Sequence, residues 1–105
     1  MILNFTPHPI VVVTPEGVEI KRIESSGLIR LKAETIDTGI EIDGVKITKT
    51  QFGDPVGLPD FEDGVFIIVS QLVKSALPHR TDLLVPAEVV RDSQGNILGC
   101  QSLGA

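Results

Sequence analysis

Between Val65 and Pro86 the chain reads VFIIVSQLVKSALPHRTDLLVP: an unbroken apolar run, a short amphipathic segment, a compact polar cluster and a second apolar run. Five consecutive apolar residues, four of them Val or Ile, suit a strand buried on both faces. A helix is the rival reading, because Val65, Val69, Leu72, Val73 and Ala76 also share a helical face. Ser70 and Pro78 decide between them. Ser70 can cap a helix that Pro78 then stops, which predicts a strand over 65–69 and a helix from about Ser70 to Leu77. The core therefore forms on either side of Pro78-His79-Arg80-Thr81-Asp82, and a small domain places a site where hydrogen-bonding residues are squeezed between core segments.

The rest of the chain is punctuated for sheet. Ile10 to Val13 is a β-branched run; Thr14-Pro15-Glu16-Gly17 turns it, and Val18, Ile20 and Ile23 alternate with charges on the return, predicting a hairpin. Leu28 to Ile36 alternates for much of its length and reads as a strand. Ile40 and Ile42 alternate with Glu41, Asp43-Gly44 supplies a tight turn, and Val45 and Ile47 alternate with Lys46 and Thr48, the strongest hairpin signal in the sequence. The pattern lapses in Gln51 to Gly64, where three glycines and two prolines in fourteen residues predict a loop. Leu83 to Val85 and Glu88 to Arg91 read as strands around Pro86, and Ile97 to Leu103 as a last strand after the turn at Asp92 to Asn96. The expectation is one domain, mainly β: a small, mostly antiparallel barrel or sandwich of about eight short strands, with one short helix near 70–77 covering an end.

The 105 residues can bury roughly 65% of their unfolded surface without metal or disulfide support. Formal charge is −5, with six Lys/Arg against seven Asp/Glu in residues 1–52 and three against seven in residues 53–105. An acidic chain with no basic stripe repels phosphate backbones, so nucleic acid is not an expected partner. The absence of Trp and Tyr points the same way, since single strands are gripped on aromatic platforms. A small anion remains feasible, because one Arg and a few backbone N–H groups suffice. The single cysteine, Cys100, fits a reducing compartment, no run reaches membrane-spanning length, and the N-terminus lacks a signal pattern; a cytoplasmic location is expected.

Few motifs carry chemistry. His8 and His79 are the only histidines and no pair of His or Cys has ligand spacing, so no metal or other cofactor is expected. Cys100 lies in an apparent strand and reads as a buried thiol. Ser70, His79 and Asp82 are the residue types of a hydrolytic triad, but no nucleophile elbow accompanies them. The segment Gly53-Asp54-Pro55-Val56-Gly57-Leu58-Pro59 matches no phosphate-binding fingerprint; it is a long turn or a place where a ligand meets the backbone. The cluster His79-Arg80-Thr81-Asp82 is open to two readings. Arg80 offers a planar fork for phosphate or carboxylate, with Thr81 and Asp82 for ribose hydroxyls. Alternatively His79 and Arg80 complement the helix C-terminus while Asp82 pairs with Arg80.

Three segments, Asn4-Phe5-Thr6-Pro7-His8-Pro9-Ile10, Gly53 to Pro59, and Ser70 through Arg80-Thr81-Asp82-Leu83-Leu84-Val85-Pro86, resemble a family of small proteins of phage and prophage genomes. That resemblance spans most of the chain, with little from residues 14–50, and implies no particular chemistry. It implies a short range of roles. One is a non-catalytic protein that sequesters a small phosphorylated, nucleotide-like ligand, such as a cyclic ADP-ribose isomer made in bacterial immunity, by analogy with other small phage proteins. Another is a phage assembly part or inhibitor that binds a protein; a small hydrolase is a third. On the first reading the ligand-binding residues are Arg80, Thr81, Asp82, His79, Thr6, His8, Gly53, Asp54 and Gly57, gathered from three segments, and a homo-oligomer is expected because so small a chain captures a ligand best in a shared pocket.

Overall fold

The computed structural model describes residues 1–105 and contains eight strands and one helix: β1 (Ile2–Asn4), β2 (Ile10–Val13), β3 (Glu19–Ile23), β4 (Arg30–Ile42), β5 (Val45–Val56), β6 (Phe66–Ile68), α1 (Gln71–Ala76), β7 (Leu83–Arg91) and β8 (Ile97–Gly104). Six strands form one sheet in the order β1-β6-β7-β8-β2-β3. Beyond β3, Ser25 bridges back to Asn4 of β1, and the Ser26 N–H donates to the Asn4 carbonyl at 2.7 Å. The sheet therefore comes close to closing on itself, a nearly complete six-strand barrel that leaves little free edge. The chain is mainly β, as its alternation predicts. The antiparallel ladders β2·β3 and β7·β8 are longer than the parallel pairings β1·β6, β6·β7 and β2·β8.

The core grows from β6. Ile67, Ile68 and Val69 are all buried, and period two sends them to opposite faces. Ile67 and Val69 join Ile29, Leu83 and the helical Val73 and Leu77 in one cluster, while Ile68 points away from it. Helix α1 sits where Ser70 and Pro78 place it. The extended Ser70 accepts a bond from the Val73 N–H at 3.3 Å, and Leu77 ends the helix with its N–H on the Lys74 carbonyl. Only the buried side of this short helix faces the sheet; Leu72 stands outside at 54% exposure.

Two sequence expectations need correction. Pro86 does not interrupt β7, which runs unbroken from Leu83 to Arg91. β6 pairs with β7 only at Leu83 and Leu84, so from Val85 onward that edge is free and the missing proline N–H costs no ladder bond. The predicted loop at 51–64 is shorter than expected, because β5 continues to Val56 and takes Gly53 and Asp54 into a strand. There the register shifts so that both residues face Lys32 alone, a bulge that absorbs one residue and lets Pro55 and Val56 pair with Leu31 and Arg30.

β4 and β5 form a separate two-stranded sheet, turned by Asp43 (φ 51°) and Gly44 (φ 76°). Both central residues have positive φ, the signature of the tight hairpin turn that Asp-Gly encodes. Nearly every residue of this hairpin is exposed, so it stands off the barrel as an arm. The radius of gyration is 17.2 Å, well above the roughly 13 Å of a compact chain of this length.

Candidate functional site

The polar cluster after α1 is built as a clamp. The Arg80 N–H donates to the Leu77 carbonyl, which prolongs the helix end and directs the guanidinium toward the start of β7. Arg80 Nε donates to Asp82 Oδ1 at 2.9 Å and Nη2 to Oδ2 at 2.7 Å, a two-pronged pair; Nη2 also donates to the Pro59 carbonyl at 3.0 Å. The Asp82 side chain is 2% exposed and that of Arg80 17%. The hydrogen bond from Arg80 holds the Asp82 carboxyl below the usual carboxylate range against the opposing push of burial. The same bond raises the Arg80 guanidinium, with the charges of Asp82 and Asp60 adding to it. Most of the fork is thus engaged within the protein. His79 and Thr81 flank it, both exposed.

A second polar cluster explains the Asn4-to-Pro9 motif. Asn4 is completely buried. Its Nδ2 donates to the carbonyls of His8 at 2.7 Å and Ile23 at 3.0 Å, while Oδ1 accepts from the Thr6 N–H at 2.9 Å. Thr6 Oγ1 lies 2.6 Å from Asn4 Oδ1 and 2.9 Å from the His8 carbonyl, and its single proton serves one at a time. Ser25 Oγ reaches the Thr6 carbonyl at 2.7 Å. These bonds tie the turn at residues 5–9 to the chain leaving β3, the seam where the barrel closes. No buried side-chain nitrogen or oxygen in the protein lacks a partner, so neither cluster needs a ligand to complete it.

The concave surface lies elsewhere. A cleft of about 360 Å³ opens between the start of β2 and the β7–β8 ladder, lined among others by His8, Pro9, Ile10, Pro86, Val89 and Leu98. Its volume is at the lower end of small-ligand sites, which run from roughly 300 to 1,000 Å³. Cys100 also borders it, but its Sγ donates to the Val11 carbonyl at 3.6 Å and burial pushes the thiol pKa up, which disfavours a nucleophilic thiolate. No group of three or more His, Cys, Asp or Glu side chains is placed to hold a metal ion, and no helix is long and apolar enough to cross a membrane.

The segments expected to gather around one ligand meet only in part. Arg80 and Asp82 meet the 57–59 segment through the Pro59 carbonyl. Gly57 (φ +94°) supports that segment, because a Cβ there would stand 2.6 Å from the Leu28 carbonyl. Gly57→Ala is expected to cost about 1–3 kcal/mol through backbone strain and this clash, read as a lower thermal midpoint. Gly53 and Asp54 lie back in the β5 bulge. His8 follows the C-terminal end of β1, whereas the Asp82 carbonyl accepts from Ile67 at the start of the parallel β1-β6-β7 ladder, so the two lie at opposite ends of it. Of the residues picked from sequence, His8 alone lines the cleft; Thr6 belongs to the Asn4 cluster beside it. Pro86, Val89 and Leu98 were missed as site residues because they carry no chemistry that marks them in a sequence. No protein-family model, curated protein or solved structure matches the chain.

Proposed function

We propose that this chain is a non-catalytic binding protein that sequesters a small phosphorylated, nucleotide-like ligand, with cyclic ADP-ribose isomers as the first class to test. The observation that carries the reading is the cleft. Ten residues line it, six of them hydrophobic, which suits the flat face of a base, and one of the ten is His8, whose imidazole can donate to a phosphate or ribose oxygen. Two features support capture without turnover. The cleft contains no paired nucleophile and base, and its one thiol is held protonated against a backbone carbonyl. Because Arg80 is engaged by Asp82 and Pro59, the reading places the main polar contact on His8 instead.

Calorimetric titration with cyclic ADP-ribose isomers and cyclic dinucleotides tests it. The wild-type chain is expected to bind at least one member and to release it chemically intact after heating. His8→Ala is expected to weaken binding about 10-fold, a loss of roughly one hydrogen bond to a charged group. Val89→Glu, at a half-exposed position in the cleft wall, is expected to abolish it. No heat across the panel, or full affinity in both variants, removes the proposal. Recovery of a cleaved ligand favours the hydrolase. A second reading, a phage assembly or inhibitor module, has the exposed arm in its favour; a chain that binds no nucleotide but co-purifies with a virion or host protein through the arm belongs there.

A further inference from the structure

The β4–β5 arm presents two unlike faces. Its register pairs Ile42 with Val45, Ile40 with Ile47 and Ile36 with Lys49; the two extra residues Thr38 and Gly39 keep the alternation in step, so these rows share one face. The other face carries Glu41 with Lys46, Asp37 with Thr48 and Thr35 with Thr50, and is tied by a Lys46–Asp37 ion pair at 3.2 Å. The polar face is complete as it stands. The aliphatic face is bare: Ile36, Ile40, Ile42 and Val45 are 39%, 54%, 56% and 60% exposed.

We propose that this face is an interface with a second copy of the chain, two arms packing face to face and antiparallel about the Ile40/Ile47 row. An isolated two-stranded hairpin is marginal in water, yet this one is paired over ten rows. It therefore requires cover whenever it is folded, and the partner always present in fixed ratio is another copy. The surface area agrees. The chain exposes 7197 Å², about 1,500 Å² more than a compact chain of its mass. A standard interface covers roughly 800 Å² on each partner, so the excess is large enough to supply one. Charge selects the orientation. Neither Asp43 nor Lys49 forms an ion pair within the chain. Antiparallel overlap about the Ile40/Ile47 row lays Ile42 and Val45 of one arm over the Ile36/Lys49 row of the other. It sets the Asp43-Gly44 turn one row beyond Lys49, within reach of its long side chain, whereas parallel overlap puts the two Lys49 in the same row.

This interface does not depend on the ligand reading. Native mass and sedimentation measurements at micromolar concentration are expected to give a dimer or an even multiple of it. Ile40→Lys replaces a side chain that is half exposed in the single chain, so a monomer would tolerate it; here it is expected to weaken self-association by roughly 30-fold or more and to speed amide exchange across 30–56. Ile40→Cys is expected to form a covalent dimer without reductant, while Thr48→Cys, on the opposite face, does not. A monomeric wild-type chain, an Ile40→Lys chain of unchanged mass, or cross-linking as ready from Thr48→Cys as from Ile40→Cys would overturn the proposal. So would a 1:1 complex in which a different protein covers this face.

Discussion

Asn4→Ala is expected to lower stability by about 3–5 kcal/mol, since each buried polar group left without its partner costs about 1–3 kcal/mol and part of the exposed turn regains water. That is a large share of the roughly 5–15 kcal/mol that holds a domain together. The loss is concentrated because one side chain serves four partners: two carbonyls from separate segments, a backbone N–H and the Thr6 hydroxyl. Without it the turn at residues 5–9 loses its attachment to Ile23, and the seam retains the short pairing through Ser25 and Ser26. Urea or thermal melts followed by circular dichroism measure the effect; a midpoint within a degree or two of wild type would show the seam to be held some other way. Asn4→Asp separates hydrogen bonding from shape. It keeps the acceptor but turns a carboxylate oxygen toward two carbonyls, which raises that group's pKa above its unfolded value. Its penalty should therefore be small below about pH 4 and grow as the pH rises.

The local part of this fold was legible in the sequence and the long-range part was not. Ser70 and Pro78 bracket the helix because capping and helix termination act within a few residues. Asp43-Gly44 fixes its turn because both positions need positive φ. Closure of the barrel depends instead on Asn4 meeting Ser25 and on β1 pairing beside β6, more than sixty residues away in the chain, and no periodicity encodes such partners. The bulge at Gly53-Asp54 escaped notice for a related reason. Glycine and proline read as loop until a partner strand supplies a register that can absorb them. Pro86 misled in the same way, since its acceptability turns on which edge of β7 is free.

The site was less legible than the fold. Arg80 and Asp82 are conspicuous in sequence because they are charged and lie between apolar runs, and one of the two readings weighed for them, a mutual pair, accounts for their geometry. The cleft is walled by ordinary apolar residues that β2, β7 and β8 bring together from both ends of the chain. Asn4 gives a faint signal, a lone amide in the apolar opening Ile2-Leu3-Asn4-Phe5, where a polar residue is tolerated only if all its bonds are met.

Arg80→Ala is expected to cost about 3–5 kcal/mol, as breaking one side of a buried ion pair leaves the other charge uncompensated. Asp82 is 2% exposed and would lose both of its Arg80 bonds, and the Pro59 segment would lose its attachment. Replacing both partners, as in Arg80→Met with Asp82→Leu, should recover much of that loss, because buried pairs are often matched by apolar groups of similar volume. The pH dependence distinguishes the pair from simple packing. In the wild type the Asp82 carboxyl is held below its ordinary value, so its contribution is complete above about pH 4 and is lost as the pH falls through the lower folded value. In Arg80→Ala burial is opposed only by the carboxyl's own backbone hydrogen bond, so the carboxyl lies above its wild-type value and the variant should gain stability relative to wild type on acidification toward pH 4. This also settles how an Arg80 variant is to be read in a binding experiment. A loss of nucleotide binding that follows the loss of fold reports the clamp. An Arg80→Ala chain as stable as wild type that nonetheless fails to bind would make Arg80 a ligand group and its pairing with Asp82 incidental.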